Sequence, residues 1–272
     1  MNFCYIAPQN CLQLLNNFSH HLLLAPIVKQ NSVYKNYYLS KSSTDYLILD
    51  NGTFENGYPM EVDEYLDLAQ ELNVSCVVSP DYRNDNWRKT YQAFFDFYDA
   101  MCKKFGYKKF DIMFVPQSPY NDKEGWIKCY CLASQIKNID FIGIPNVATT
   151  ELYKEQIEKE ILTSSMSRIN LIAELLNKNI YAHDKKHHIL GLLSYHEIPI
   201  LLNMVNNIYS WDSSLPVWAG LNNLILGTEY FEKNYGYQKF VKPVNFNLLT
   251  DLSSKHKLSI YSNIQFIQNL IN

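Results

Sequence analysis

DYLILDNG, residues 45–52, is an apolar run that stops abruptly on an aspartate, an asparagine and a glycine. Its hydrophobicity is continuous rather than alternating, which is the pattern of a strand buried on both faces. Six further runs have the same form: HHLLLAPI (20–27), SCVVSPD (75–81), FDIMFVPQ (110–117), IDFIGIPN (139–146), HHILGLLS (187–194) and NIYSWDSS (207–214). QKFVKPV (238–244) is a poorer candidate for an eighth. Each run ends in Pro, Gly, Asn, Asp or another polar residue, and helical periodicity follows.

The segments between the runs read as helices. MEVDEYLDLAQELN (60–73) spaces its apolar residues helically and has an acidic first turn, which suits the positive end of a helix dipole. DNWRKTYQAFFDFYDAMCKKFG (85–106) opens on an aspartate able to cap and closes on lysines before a glycine. GWIKCYCLASQIKN (125–138) and SSMSRINLIAELLNK (164–178) follow, the latter with Ser164 or Ser165 as its cap, and residues 253–272 end the sequence as one helix or two. Strand–helix alternation without a sheet-only stretch argues for α/β. Eight strand candidates fit a single (β/α)8 TIM barrel over 1–272 better than a doubly wound sheet. No G-x-G-x-x-G or P-loop sequence opens a helix, which argues against nucleotide-fold chemistry.

Composition narrows the class further. At 272 residues and 47% hydrophobic, the sequence suffices for one large core. It holds no apolar stretch of roughly 20 residues and no basic-then-apolar leader, so neither a membrane span nor a secretory signal is expected. The six cysteines make no disulfide framework. Cys129 and Cys131 form a lone C-x-C pair without the further ligands a zinc site needs, so core or helix-surface cysteines and no metal are expected. A reducing, cytoplasmic setting fits this usage. The net charge of -3 sets up no global field for a polyanion, but KKFGYKK (103–109) and HDKKHH (183–188) leave local positive patches.

In a barrel the C-terminal strand ends form the active face. On that reading Asp50, Asp81, Gln117, Asn146 and Asp212 all lie at one mouth. A single aspartate there is a turn or cap residue; three with a glutamine suit displacement at a sugar carbon. One ionised carboxylate attacks the anomeric centre, and a second moves a proton on or off the departing base. A third, with an amide, matches the donors and acceptors of a purine edge. Gly52 and Gly143 are expected to leave room for a flat ring, and Trp126, Trp211 and Trp218 are stacking candidates or core indoles.

Six of these motifs, in order from about residue 20 to 220, resemble the queuine tRNA-ribosyltransferase (tRNA-guanine transglycosylase) family. Asp50-Asn51-Gly52-Thr53-Phe54-Glu55 is similar to that family's D-S-G-G-F-Q, and Cys76–Asp81 to the strand ending in its base-recognising aspartate. Phe114-Val115-Pro116-Gln117 resembles the strand ending in Q-G, and Phe141–Ile144 the G-G-[LF] strand. His188–Leu192 resembles Y-L-M-G-V, with His196-Glu197 in place of P-E-D, and Ser210–Pro216 resembles F-D-C-V-x-P. The resemblance implies Asp212 as nucleophile and Asp50 as general acid/base. It places Asp81, Gln117 and Gly143, with Phe54 and Asn146, against the base. The family's zinc site has no counterpart, because no cysteine follows Cys131. That stripped form is most similar to phage-type DNA transglycosylases, which place a 7-deazaguanine such as preQ0 in DNA. The implied partners are therefore DNA (with tRNA as the alternative), free 7-deazapurine and guanine, with no organic cofactor. A nucleotide glycosyl hydrolase and a non-catalytic nucleic-acid-binding barrel remain open readings. Ser213 and Ser214 are expected to donate hydrogen bonds to Asp212, with Trp211 and Pro216 stiffening its loop.

Overall fold

A computed structural model describes residues 1–159, 164–235 and 251–272. Eight strands form one all-parallel sheet: β1 Asn2–Tyr5, β2 His20–Leu24, β3 Tyr46–Asp50, β4 Cys76–Val78, β5 Asp111–Phe114, β6 Phe141–Pro145, β7 Lys186–Leu190 and β8 Ile208–Ser213. The hydrogen-bonded order is β1-β8-β7-β6-β5-β4-β3-β2, and β1 also lies against β2, so the sheet curls into a nearly closed (β/α)8 barrel. All seven continuous apolar runs became strands. The run at 238–244 lies outside the described residues. The remaining strand is β1, which sequence reasoning passed over because its four residues, NFCY, make only a short run.

The strand period of two divides the core into two layers. Leu22, Leu24, Ile48, Cys76, Val78, Met113, Val115 and Phe141 fill the barrel interior with Cys4. Their neighbours, among them Leu47, Leu49, Val77, Ile112, Phe114, Ile142, Ile189 and Trp211, face the helices. Both faces are apolar, which is why these strands read as unbroken hydrophobic runs.

The helices begin close to where their caps direct. Val62–Glu71 carries Asp63 and Glu64 in its first turn. In the helix Trp87–Phe105 the cap is Asn86, which accepts from Arg88 N, instead of Asp85, and Gly106 at φ 79° ends it. Asp122 caps Lys123–Ser134, two residues ahead of the expected start. Ser164 and Ser165, the expected caps, both lie inside the helix Ser164–Asn177, and Ser254–Ile271 is one continuous helix capped by Ser253. No helix among the described residues is long and apolar enough to cross a membrane.

Candidate active site

The interior-facing parity continues to the top of the barrel, where it becomes acidic. Ile48 is followed by Asp50 on β3, and Ser210 by Asp212 on β8. Asp212 is buried, and its carboxylate is held by one residue of β7 and by the residue that follows that strand. Gly191 N–H donates to both oxygens, at 3.0 and 3.1 Å, and His188 Nε2 lies 3.1 Å from Oδ1. With the carboxylate accepting, Nε2 carries the hydrogen; the other ring nitrogen sits 2.7 Å from Ser210 Oγ. Leu192 N–H donates to the Asp212 carbonyl at 3.0 Å, fixing main chain as well as side chain. The expected serine donors are not the ones used. Ser213 Oγ donates to Leu192 O and accepts from Leu215 N, so it ties the loop while His188 and Gly191 orient the acid.

Ser210, His188 and Asp212 form a serine–histidine–aspartate chain, but it does not make a nucleophilic serine. Ser210 is fully buried, one inward-facing position below Asp212, where no substrate carbonyl reaches it. The group presented at the mouth is the carboxylate.

Asp50 has a different environment. It accepts from Gly52 N–H at 2.8 Å and has no cation beside it among the described residues. Burial, and then the nearby charge of Glu55, push its carboxyl well above the ordinary range. Gly52 N–H opposes that shift, and Asp81 and Asp212 add to it. Glu55, an exposed residue at the rim, is itself pushed upward by desolvation from the protein around its carboxyl and by Asp212. Glu55 thus belongs to the acidic cluster at the mouth, a member the sequence analysis did not assign.

Asp81 is buried and accepts from Asn51 Nδ2 at 2.7 Å and from Gln117 Nε2. Asn51 also donates to Ser79 O and accepts from Thr53 N, both at 2.8 Å, while Thr53 Oγ1 donates to Asp81 O. The β3 and β4 loops are therefore locked together by side chains. Burial raises the Asp81 carboxyl against the pull of Asn51, Gln117 and Thr53.

Buried polar atoms are normally hydrogen-bonded, so those left unpaired need a reason. Ser79 Oγ, Gln117 Oε1 and Asn146 Nδ2 are buried without a partner, and they follow three successive strands, β4, β5 and β6. Gln117 uses its nitrogen on Asp81, and Asn146 uses its oxygen on Thr150 Oγ1 at 3.2 Å. Of the three, Gln117 is the one tied to the acids of the mouth: its nitrogen donates to Asp81, and its oxygen remains as an unused acceptor beside that carboxyl. Phe54, 61% exposed with the Arg83 guanidinium 5.7 Å from its ring centre, stands at the rim as an aromatic surface.

The two glycines do other work than expected, and Trp126 and Trp211 take the core places that were one of their two expected fates. Gly52 adopts φ +82°, and a Cβ there would lie 2.4 Å from Pro26, so the turn itself demands glycine. Over Gly143 stand Leu190, Val115 and Met113, in the space expected for a flat ring. Trp126 stacks on Tyr130 and Trp211 donates to Met1 Sδ, both buried in the layer between barrel and helices. Among the described residues no group of three or more His, Cys, Asp or Glu is arranged to hold a metal ion. Cys129 is buried against Trp87 O, and Cys131 is half-buried on the same helix.

The lysines of the basic patches lie toward the other end of the barrel. Lys108 pairs with Asp140, and Lys185 donates to Ile136 O and Ile139 O, just before β5 and β7 begin. No model of a known protein family matches the chain, and no curated protein matches it in sequence.

Proposed function

We propose that the protein is a base-exchange transglycosylase that replaces guanine in DNA with a 7-deazaguanine. The observation that carries this reading is the pairing of two unlike carboxyls at one mouth. Asp50 is pushed toward the protonated form, and Asp212 is held by hydrogen-bond donors. Unlike environments for neighbouring acids assign the acid and nucleophile roles. The unused Gln117 acceptor beside Asp81 supports a purine edge as the thing bound.

In the reaction, Asp212 attacks C1′ and the C1′–N9 bond breaks, with the Asp50 proton passing to the departing guanine. The product is a glycosyl ester of Asp212. A 7-deazapurine then enters, gives its ring proton to Asp50 and attacks C1′, and the ester bond breaks. Asp212 is thereby restored and no oxidant or cofactor is consumed. The target nucleotide must leave the stack, at a cost of a few kcal/mol.

DNA is favoured over tRNA by the resemblance to the stripped phage-type enzymes and by the lack of any cysteine after Cys131. The test is parallel incubation of purified protein with DNA and with tRNA, with preQ0 as the incoming base, followed by mass spectrometry of the nucleosides. Deazaguanine in DNA supports the proposal, and deazaguanine in tRNA alone moves the activity to the other polymer. Abasic sites formed without any incoming base indicate a hydrolase instead.

A further inference from the structure

A charged pair lies beneath the site and touches neither carboxyl oxygen of Asp212. Arg168, from the helix Ser164–Asn177, is fully buried, and so is Glu197, the first residue of the helix Glu197–Met204. Arg168 Nε and Nη2 both donate to Glu197 Oε2, at 2.9 and 2.7 Å. Its remaining donors go to strand ends: Nη1 to Ile144 O at 3.1 Å and to Leu190 O at 2.7 Å, and Nη2 to Gly191 O at 3.2 Å. One guanidinium therefore grips the tops of β6 and β7 together.

Gly191 is where that grip meets the chemistry. Its carbonyl accepts from Arg168, and its N–H donates to both oxygens of Asp212. Gly191 sits at φ +67° with open space where a Cβ would be, so conformation rather than packing requires glycine there. A residue in that left-handed turn stays put only if its surroundings hold it. The hold comes from Arg168 on Leu190 O and Gly191 O, and from the mutual bonds of Leu192 with Asp212 and Ser213.

An isolated buried ion pair is weak evidence for stability, since desolvation cancels most of its Coulomb gain. An arginine that spends three of its donor contacts on main-chain carbonyls at the mouth is suited to fixing geometry.

We infer that Arg168, held flat by Glu197, is the positioning residue that fixes the Gly191 peptide and, through its N–H, aims the Asp212 carboxylate. The inference rests on the proposed function for its catalytic readout but not for its structural one. Lysine at position 168 keeps the charge and loses the planar fork, so it cannot hold Glu197, Leu190 and Gly191 at once.

The test compares wild type, Arg168→Lys and Glu197→Gln, each checked by circular dichroism and thermal unfolding. Glu197→Gln keeps shape and one acceptor, and serves if the lysine variant does not fold. Two quantities are read: incorporation of radiolabelled guanine into DNA, and the ring 15N shifts of His188, which touches Asp212 directly. The expected result for a folded variant is kcat lowered by about tenfold or more, as a misplacement near 1 Å would cause. KM for guanine should stay within about twofold, and the His188 shifts should move. A folded variant with wild-type kcat and wild-type His188 shifts overturns the inference. So does one that alters KM alone. If wild type incorporates no guanine, the proposed function has failed. The His188 shifts then decide the positioning role alone: movement supports it and no movement overturns it.

Discussion

The two ends of the barrel use the same residue type in opposite ways. At the N-terminal end, Asp45 lies 3.1 Å from His21 and 3.6 Å from Lys41, Asp140 pairs with Lys108, and Asp111 accepts from Tyr46 at 2.8 Å. Above them Tyr46, Phe141 and Tyr209 close the barrel, with Lys186 4.8 Å from the Tyr209 ring centre. At the C-terminal end Asp50 and Asp81 have no cation partner among the described residues, and the Gln117 oxygen beside Asp81 is buried and unpaired. Burial pushes Asp45, Asp50 and Asp81 alike upward. At the lower end Thr44, His21 and Lys41 outweigh it and hold Asp45 below the usual range, whereas at the mouth Asp50 and Asp81 stay above it. One end satisfies its acids with cations and hydroxyl donors, and the other leaves Asp50 and Asp81 without a cation, as the proposed function would require.

The comparison is broken most forcefully at Asp212. Asp212→Asn should lower base exchange by about 10³-fold or more in a folded protein, because an amide cannot form the ester. Retained activity, measured as labelled guanine entering DNA, would put the nucleophile elsewhere. Asp50→Asn should cost about 10²–10⁴-fold, the range for losing a general acid.

Stability should change with opposite sign at the two ends. The folded pKa of Asp50 is raised, so the native state holds a proton that the unfolded chain has released. Wild type then loses stability as pH climbs from the unfolded value near 3.9 through the raised folded one. Asp50→Asn is therefore expected to unfold at a higher temperature than wild type at pH 7, with the gap closing toward pH 4. The folded pKa of Asp45 is lowered, so its contribution is present above the unfolded value and is lost as pH falls. Asp45→Asn should cost about 1 kcal/mol at pH 7 and progressively less below pH 4. Thermal unfolding across pH reads both, and equal signs would remove the contrast. The smallest effect is expected for Lys103→Gln with Lys109→Gln, charges on the far end from the mouth. DNA affinity and its salt dependence should be unchanged within about twofold, where each lost phosphate contact would flatten the salt slope.

The strands were legible because burial on both faces leaves a continuous apolar run, and their polar ends marked Asp50, Asp81, Gln117, Asn146 and Asp212. The helpers of those residues were not legible. His188 belongs to an apolar run and meets Ser210 and Asp212 only through the β7–β8 register, which shifts by one residue at His187/His188. Arg168 did leave a trace: one arginine beside Ile169, Leu171 and Ile172, on a helix face that is otherwise core. A buried charge requires a partner, but nothing in the sequence says that Glu197 supplies it. β1 was missed for want of length, and its place is visible only once β8 stands beside it.

The central claim, a glycosyl ester on Asp212, is open to direct observation. Wild-type protein mixed with guanine-containing DNA and resolved by denaturing electrophoresis should give a covalent protein–DNA band. Added preQ0 should discharge that band, and peptide mass spectrometry should place the adduct on Asp212. A folded, DNA-binding wild-type protein that forms no such band, or a band that persists in Asp212→Asn, would contradict it.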